Sequence, residues 1–186
     1  MDKSSNGFNT AFSLPAMENS SGCSGETTMR KGAVIDPMGI YRYSLWREWD
    51  TNAPRVAFIM LNPSRADATN DDPTLRRCIS FAQSWGYGSL EVVNLFAYRA
   101  SDPVELKKVT EPIGLENDFY LERAIKSADK IIAAWGNHGV LIQRYKVVLN
   151  MLAGLGGLQL YCLGTTKKGH PRHPLYLKNA THPVRY

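Results

Sequence analysis

The sequence predicts a three-layer α/β/α fold, with a central, mainly parallel four-stranded sheet and one further edge strand. Two observations predict it. Four short apolar runs alternate with segments whose apolar residues recur at helical spacing, and such alternation implies parallel strands joined by right-handed helical crossovers. The chain has 186 residues, 44% apolar and 21% charged. That is enough for one well-filled core, and it excludes collagen-like, coiled-coil and wholly disordered classes.

Residues 1–30 are rich in Ser, Gly, Asn and Thr. They read as a disordered extension, leaving 31–186 as a single α/β domain. Tyr41–Trp46 alternates in part and follows the turn Asp36-Pro37-Met38-Gly39, so it reads as an edge strand, antiparallel to the rest. Val56–Leu61 is an uninterrupted apolar run, as in a strand covered on both faces. Asp72-Pro73 then supplies an N-cap and a proline at the first helical position. Leu75, Cys78, Ile79, Ala82 and Trp85 follow at helical spacing, and Gly86 closes the helix. Leu90–Phe96 is the second strand of the run. Ser101-Asp102-Pro103 opens a short helix, and Leu121, Ala124, Ile125 and Ala128 mark a longer one. Lys130–Trp135 is the third strand, ended by Gly136. Leu141, Tyr145, Val148 and Leu152 mark a helix stopped by Gly154, and Leu158–Leu163 is the fourth strand.

The net charge of +5 is unevenly placed. Residues 130–186 hold eight Lys and Arg and no Asp or Glu. This points to an anionic partner, nucleic acid or nucleotide, unless acids from elsewhere in the fold cover the excess. No stretch approaches the roughly 20 apolar residues that span a bilayer, so no membrane partner is expected. Cys23, Cys78 and Cys162 are far apart and form no CxxC, and with no apolar leader the expected location is cytoplasmic.

In open α/β sheets, ligands bind beyond the carboxyl ends of the strands. Here those ends carry Asn62–Asp72, Ala97-Tyr98-Arg99, Gly136-Asn137-His138 and Thr165–His173. Familiar motifs are absent: there is no P-loop, no GxSxG elbow, and the paired glycines lack the GxGxxG spacing. His170, His173 and His182 suggest no metal, because Pro171 and Pro174 break any helical face and no acid or Cys lies nearby. No cofactor is expected.

Tyr41-Arg42-Tyr43, Met60-Leu-Asn-Pro-Ser64, Asp71-Asp-Pro-Thr74 with Arg76-Arg77, Trp85–Gly88, Val93-Asn-Leu-Phe96 with Arg99, Ala134-Trp-Gly136 and Gly169–Tyr176 together resemble the DUF1643 family of uncharacterised proteins. More distantly, the layout resembles the uracil-DNA glycosylase superfamily. Leu61-Asn62-Pro63-Ser64 is similar to its catalytic loop, Val93–Phe96 with Arg99 to its base-recognition strand, Ala134–Gly136 to the end of its third strand, and His173-Pro174 to its last loop. The loop lacks the flanking glycines of that superfamily, and Leu175 stands where it has serine.

That resemblance implies a uracil-DNA-glycosylase-like architecture and hydrolysis or transfer of an N-glycosidic bond in DNA or a nucleotide, without metal. It assigns Asn62 to catalysis, Asn94 to the base edge and His173 to the departing base. Asp67, Asp71 and Asp72 are candidate general bases; Asp72 fits a helix cap better, which leaves Asp67 and Asp71 as the favoured pair. Pro63, Ser64, Trp135 and Gly136 would line the base site, and Tyr98 or Tyr176 would supply the stacking ring. Arg99, Lys167, Lys168 and Arg172 would take phosphates. The rival expectation is a non-catalytic nucleotide or nucleic-acid binding module on the same fold, and a third is an enzyme of other nucleotide chemistry.

Overall fold

A computed structural model describes residues 28–64 and 66–186. The expected extension therefore lies almost wholly outside the described residues. The strands are β1 (Arg30–Ile35), β2 (Arg42–Glu48), β3 (Arg55–Met60), β4 (Ser89–Asn94), β5 (Lys130–Ala133), β6 (Leu160–Cys162) and β7 (Val184–Arg185). The helices are α1 (Pro73–Ser84), α2 (Asn117–Ser127) and α3 (Arg144–Gly154). Short 3-10 turns span Pro103–Lys108, Asn137–Gln143 and Pro174–Tyr176.

One mixed, seven-stranded sheet runs in the order β1-β2-β4-β3-β5-β6-β7. β4, β3, β5 and β6 pair in parallel, while β1/β2, β2/β4 and β6/β7 pair antiparallel. This corrects the expectation of a mainly parallel four-stranded sheet with Tyr41–Trp46 at its edge. The strand there is antiparallel but interior, flanked by β1 and β4. The outer strands escape the apolar pattern for a physical reason. β1 begins with Arg30-Lys31-Gly32 and is exposed at that end, and β7 has two exposed residues; short, charged edges bury little.

Alternation along the buried strands feeds two cores. Phe58, Met60, Leu90, Val92 and Ile132 pack with Leu75, Cys78, Phe81 and Ala82 of α1. Ile59, Val93, Ile131 and Ala133 pack on the other face with Leu121, Ala124 and Ile125 of α2 and Val148 and Leu152 of α3. α1 starts where the sequence places it: Asp72 accepts from the Leu75 amide at 2.7 Å, and Pro73 occupies the first helical position.

Two cations of the basic tail have partners, one of them an acid from outside it. Arg144 is buried and pairs with Asp118, and the Lys130 ammonium lies 4.4 Å from the centre of the Tyr161 ring.

Candidate functional site

A cleft of about 710 Å³ opens at the carboxyl ends of the parallel strands, within the range of small-ligand sites. Met60, Val92 and Asn94 contribute to it from the sheet, Asn62 and Ser64 from the loop after β3, and Asp72 and Leu75 from the start of α1. Trp135, Gly136 and His138 border it beyond β5, and Arg172, His173 and Tyr176 come from the loop beyond β6. Gly136 turns there at φ +67°, ψ −166°, a conformation open essentially to glycine alone.

Asn94 ends β4 on the α1 side and is 1% exposed. Neither its Nδ2 nor its Oδ1 has a protein hydrogen-bond partner. Buried amides are normally satisfied; this one is not, and it borders the cleft. Asn62 differs. Its Nδ2 donates to the Ala100 and Pro63 carbonyls, at 2.8 and 3.0 Å, pinning its loop to the segment after β4. Only its Oδ1 remains for a water or a ligand.

His173 caps the last 3-10 turn, its Nδ1 accepting from the Leu175 amide at 3.3 Å. The neutral ring therefore carries its proton on Nε2. Burial pushes its pKa below the ordinary value, opposed by the Asp72 carboxylate, so neutral imidazole with an Nε2–H donor dominates at pH 7. Tyr176 is exposed and its ring centre lies 5.7 Å from that of His173. Trp135 borders the cleft while its ring is buried in the α2–α3 core.

The other expected residues lie elsewhere. Asp67 accepts from the Thr69 and Asn70 amides, each at 2.8 Å, and those bonds, Asn70 first, hold its carboxyl well below the usual range. Asp71 is clasped by Arg47, whose Nη2 and Nε reach it at 2.6 and 2.9 Å. Both acids therefore build the loop and do not border the cleft. Pro63 is buried, and its carbonyl also accepts from the Ala100 amide. Tyr98 packs edge-on to Tyr41 at 6.0 Å, and Arg99 donates to the Gly39 carbonyl. Lys167 and Lys168 are exposed in a turn outside the cleft.

Arg42, given no role by the sequence, and Asp72, expected there chiefly as a helix cap, also line the cleft. Strict alternation from Leu45, which packs on the α1 side, would turn Arg42 the other way. The register instead slips: Val34 pairs with Ser44 but Ile35 with Arg42. Ser44 donates to Glu91, and Tyr43 stacks on Tyr120 of α2 at 5.3 Å. Two successive residues thus face one side, and this bulge re-aims Arg42 into the cleft. Asp72 meets the cleft as well as capping α1, and it accepts from Ser64 Oγ at 2.8 Å.

Together these features define an α/β protein with a ligand-sized cleft at the carboxyl edge of its parallel strands, floored by an unpartnered amide. The chain belongs to the family described as "Protein of unknown function (DUF1643)", whose model matches residues 42–175. The matched span begins on Arg42 and takes in every cleft residue named here except Tyr176. Comparison with curated proteins and with solved structures gives no match, so the likeness to the uracil-DNA glycosylase superfamily draws no support from them.

Proposed function

We propose that this protein is a nucleobase- or nucleotide-directed enzyme that hydrolyses an N-glycosidic bond in its cleft. The observation that carries the reading is the Asn94 amide, which offers two donors and an acceptor with no protein partner. That set matches the edge of a base. In the reaction water attacks the anomeric carbon, the C–N bond breaks, and its electron pair leaves with the base. The Nε2–H of His173 donates to the departing base. The developing positive charge on the sugar is met by a carboxylate. Asp72 is the acid in position, since Asp67 and Asp71 are held by the loop and by Arg47. Asp72 also takes the proton of a water held at Asn62 Oδ1.

A second reading, a binding module without turnover, is favoured by one observation: both oxygens of Asp72 already accept hydrogen bonds, from the Leu75 amide and from Ser64. Incubation with free nucleosides, nucleotides and modified-base oligonucleotides, scored by released base, separates the two. Turnover predicts base release that falls at least ~100-fold in Asp72→Asn while binding survives. Binding without release from any substrate selects the module, and no binding at all overturns both.

A further inference from the structure

Three arginines of the described chain are buried: Arg42, Arg47 and Arg144. Arg47 pairs with Asp71 and Arg144 with Asp118. Half-buried Arg55 likewise pairs with Glu91. Arg42 stands apart. It is 3% exposed, its Nη1 donates to the Ala66 carbonyl at 2.7 Å, and its Nε has no partner. Among the described residues no carboxylate comes within ion-pair distance of it.

A buried charge without a counter-charge is costly to keep. Burial lowers the Arg42 pKa to about 10, with Asp72 acting against the shift. The guanidinium therefore stays charged at neutral pH. Asp72 does not neutralise it by contact: its oxygens accept from Ser64 and the Leu75 amide, and no ion pair joins it to Arg42 among the described residues. The bulge at Tyr43 delivers this cation to the same cleft that Asn94 floors.

We propose that Arg42 is the anion-holding group of the cleft, and that its ligand is a small phosphomonoester: a nucleoside monophosphate when the base rests on Asn94. The base half of this statement rests on the function proposed above, and the anion half does not. A terminal phosphate can reach a guanidinium sunk below the surface. A phosphodiester inside a polynucleotide runs along the surface, where exposed lysines meet it. A guanidinium binds phosphate oxygens through paired N–H donors, and Arg42 retains donors for that purpose. Arg172, exposed at the same cleft, adds a second positive charge.

Calorimetric titration of the full chain tests this with nucleoside monophosphates, the matching nucleosides, ribose 5-phosphate, inorganic phosphate, dicarboxylates and a single-stranded oligonucleotide. The wild type should bind a monophosphate on the order of 10- to 100-fold tighter than its nucleoside. Arg42→Met should erase that preference and leave nucleoside affinity in place, and Arg42→Lys should restore part of it. A purely structural arginine would alter stability without moving this ratio. Binding of ribose 5-phosphate or inorganic phosphate, lost in Arg42→Met, supports the anion site even if neither nucleosides nor nucleoside monophosphates bind more tightly than these, in which case the proposed function alone fails. Equal affinity for nucleoside and monophosphate, or an unchanged preference in Arg42→Met, overturns the inference and leaves the proposed function standing. Binding of no phosphate compound, of dicarboxylates in preference, or of the oligonucleotide alone also overturns it. Should Arg42→Met fail to fold, the wild-type ratio and Arg42→Lys decide.

Discussion

Replacing Asn94 by leucine should make the unliganded protein more stable while removing its ligand. Folding strips Asn94 of water and returns no protein hydrogen bond to either amide atom. A buried polar group in that state costs about 1–3 kcal/mol. Leucine has nearly the same shape, removes that cost, and adds apolar contact beside Met60 and Val92 on the cleft floor. Asn94→Leu should therefore gain about 1–3 kcal/mol, and each kcal/mol raises Tm by roughly 2–4 °C in a domain of this size. Urea unfolding followed by tryptophan fluorescence reads the gain as a higher midpoint at unchanged slope. Nucleoside or nucleotide binding should vanish in the same variant. A loss of 1 kcal/mol or more would refute the reasoning, because it would mean that the amide already has a structural partner.

The cleft walls yield three further expectations. Asp71→Asn removes the charge partner of fully buried Arg47 and should cost about 1–3 kcal/mol; the same urea assay measures it. Gly136→Ala meets no atom within 4 Å, yet sits at φ +67°, so backbone strain alone should cost about 1–3 kcal/mol; retained wild-type stability would show that the β5 terminus adopts another conformation. The folded-state pKa of His173 lies below its unfolded value of about 6.5. The folded protein therefore binds fewer protons than the unfolded chain in that window. The histidine's contribution should be complete above pH 6.5 and decline as pH falls through it. Comparing wild type with His173→Gln at pH 8 and 5.5 isolates this term, and an equal drop in both would contradict it.

The four central strands and α1 were legible because each is specified locally. Uninterrupted apolar runs mark strands covered on both faces, and Asp72-Pro73 both caps and starts a helix. β1 and β7 were not, since exposed, charged edges carry little apolar pattern. Four strand ends did bring Asn62, Asn94, Gly136 and His173 to one cleft. Arg42 escaped because a bulge reverses the side chain's face, and period-two reasoning assumes an unbroken register. Asp71 read as a spare acid because its partner, Arg47, is 24 residues away in β2. Asp67 was readable in principle: an aspartate followed two and three residues later by the amides it accepts is a local turn signal. Tyr98 and Arg99 lie past the end of β4, where the chain has turned toward Tyr41 and Gly39.

Side-chain amide signals in a ¹H–¹⁵N spectrum test the central claim most directly, namely that a base sits on the buried amide of the cleft. Titration with nucleosides and nucleoside monophosphates should shift the Asn94 Nδ2 resonances, together with the backbone amides of His173 and Gly136, and leave Lys167 and Lys168 unmoved. Shifts confined to Lys167, Lys168 and their exposed neighbours, with Asn94 silent at saturation, would contradict the account.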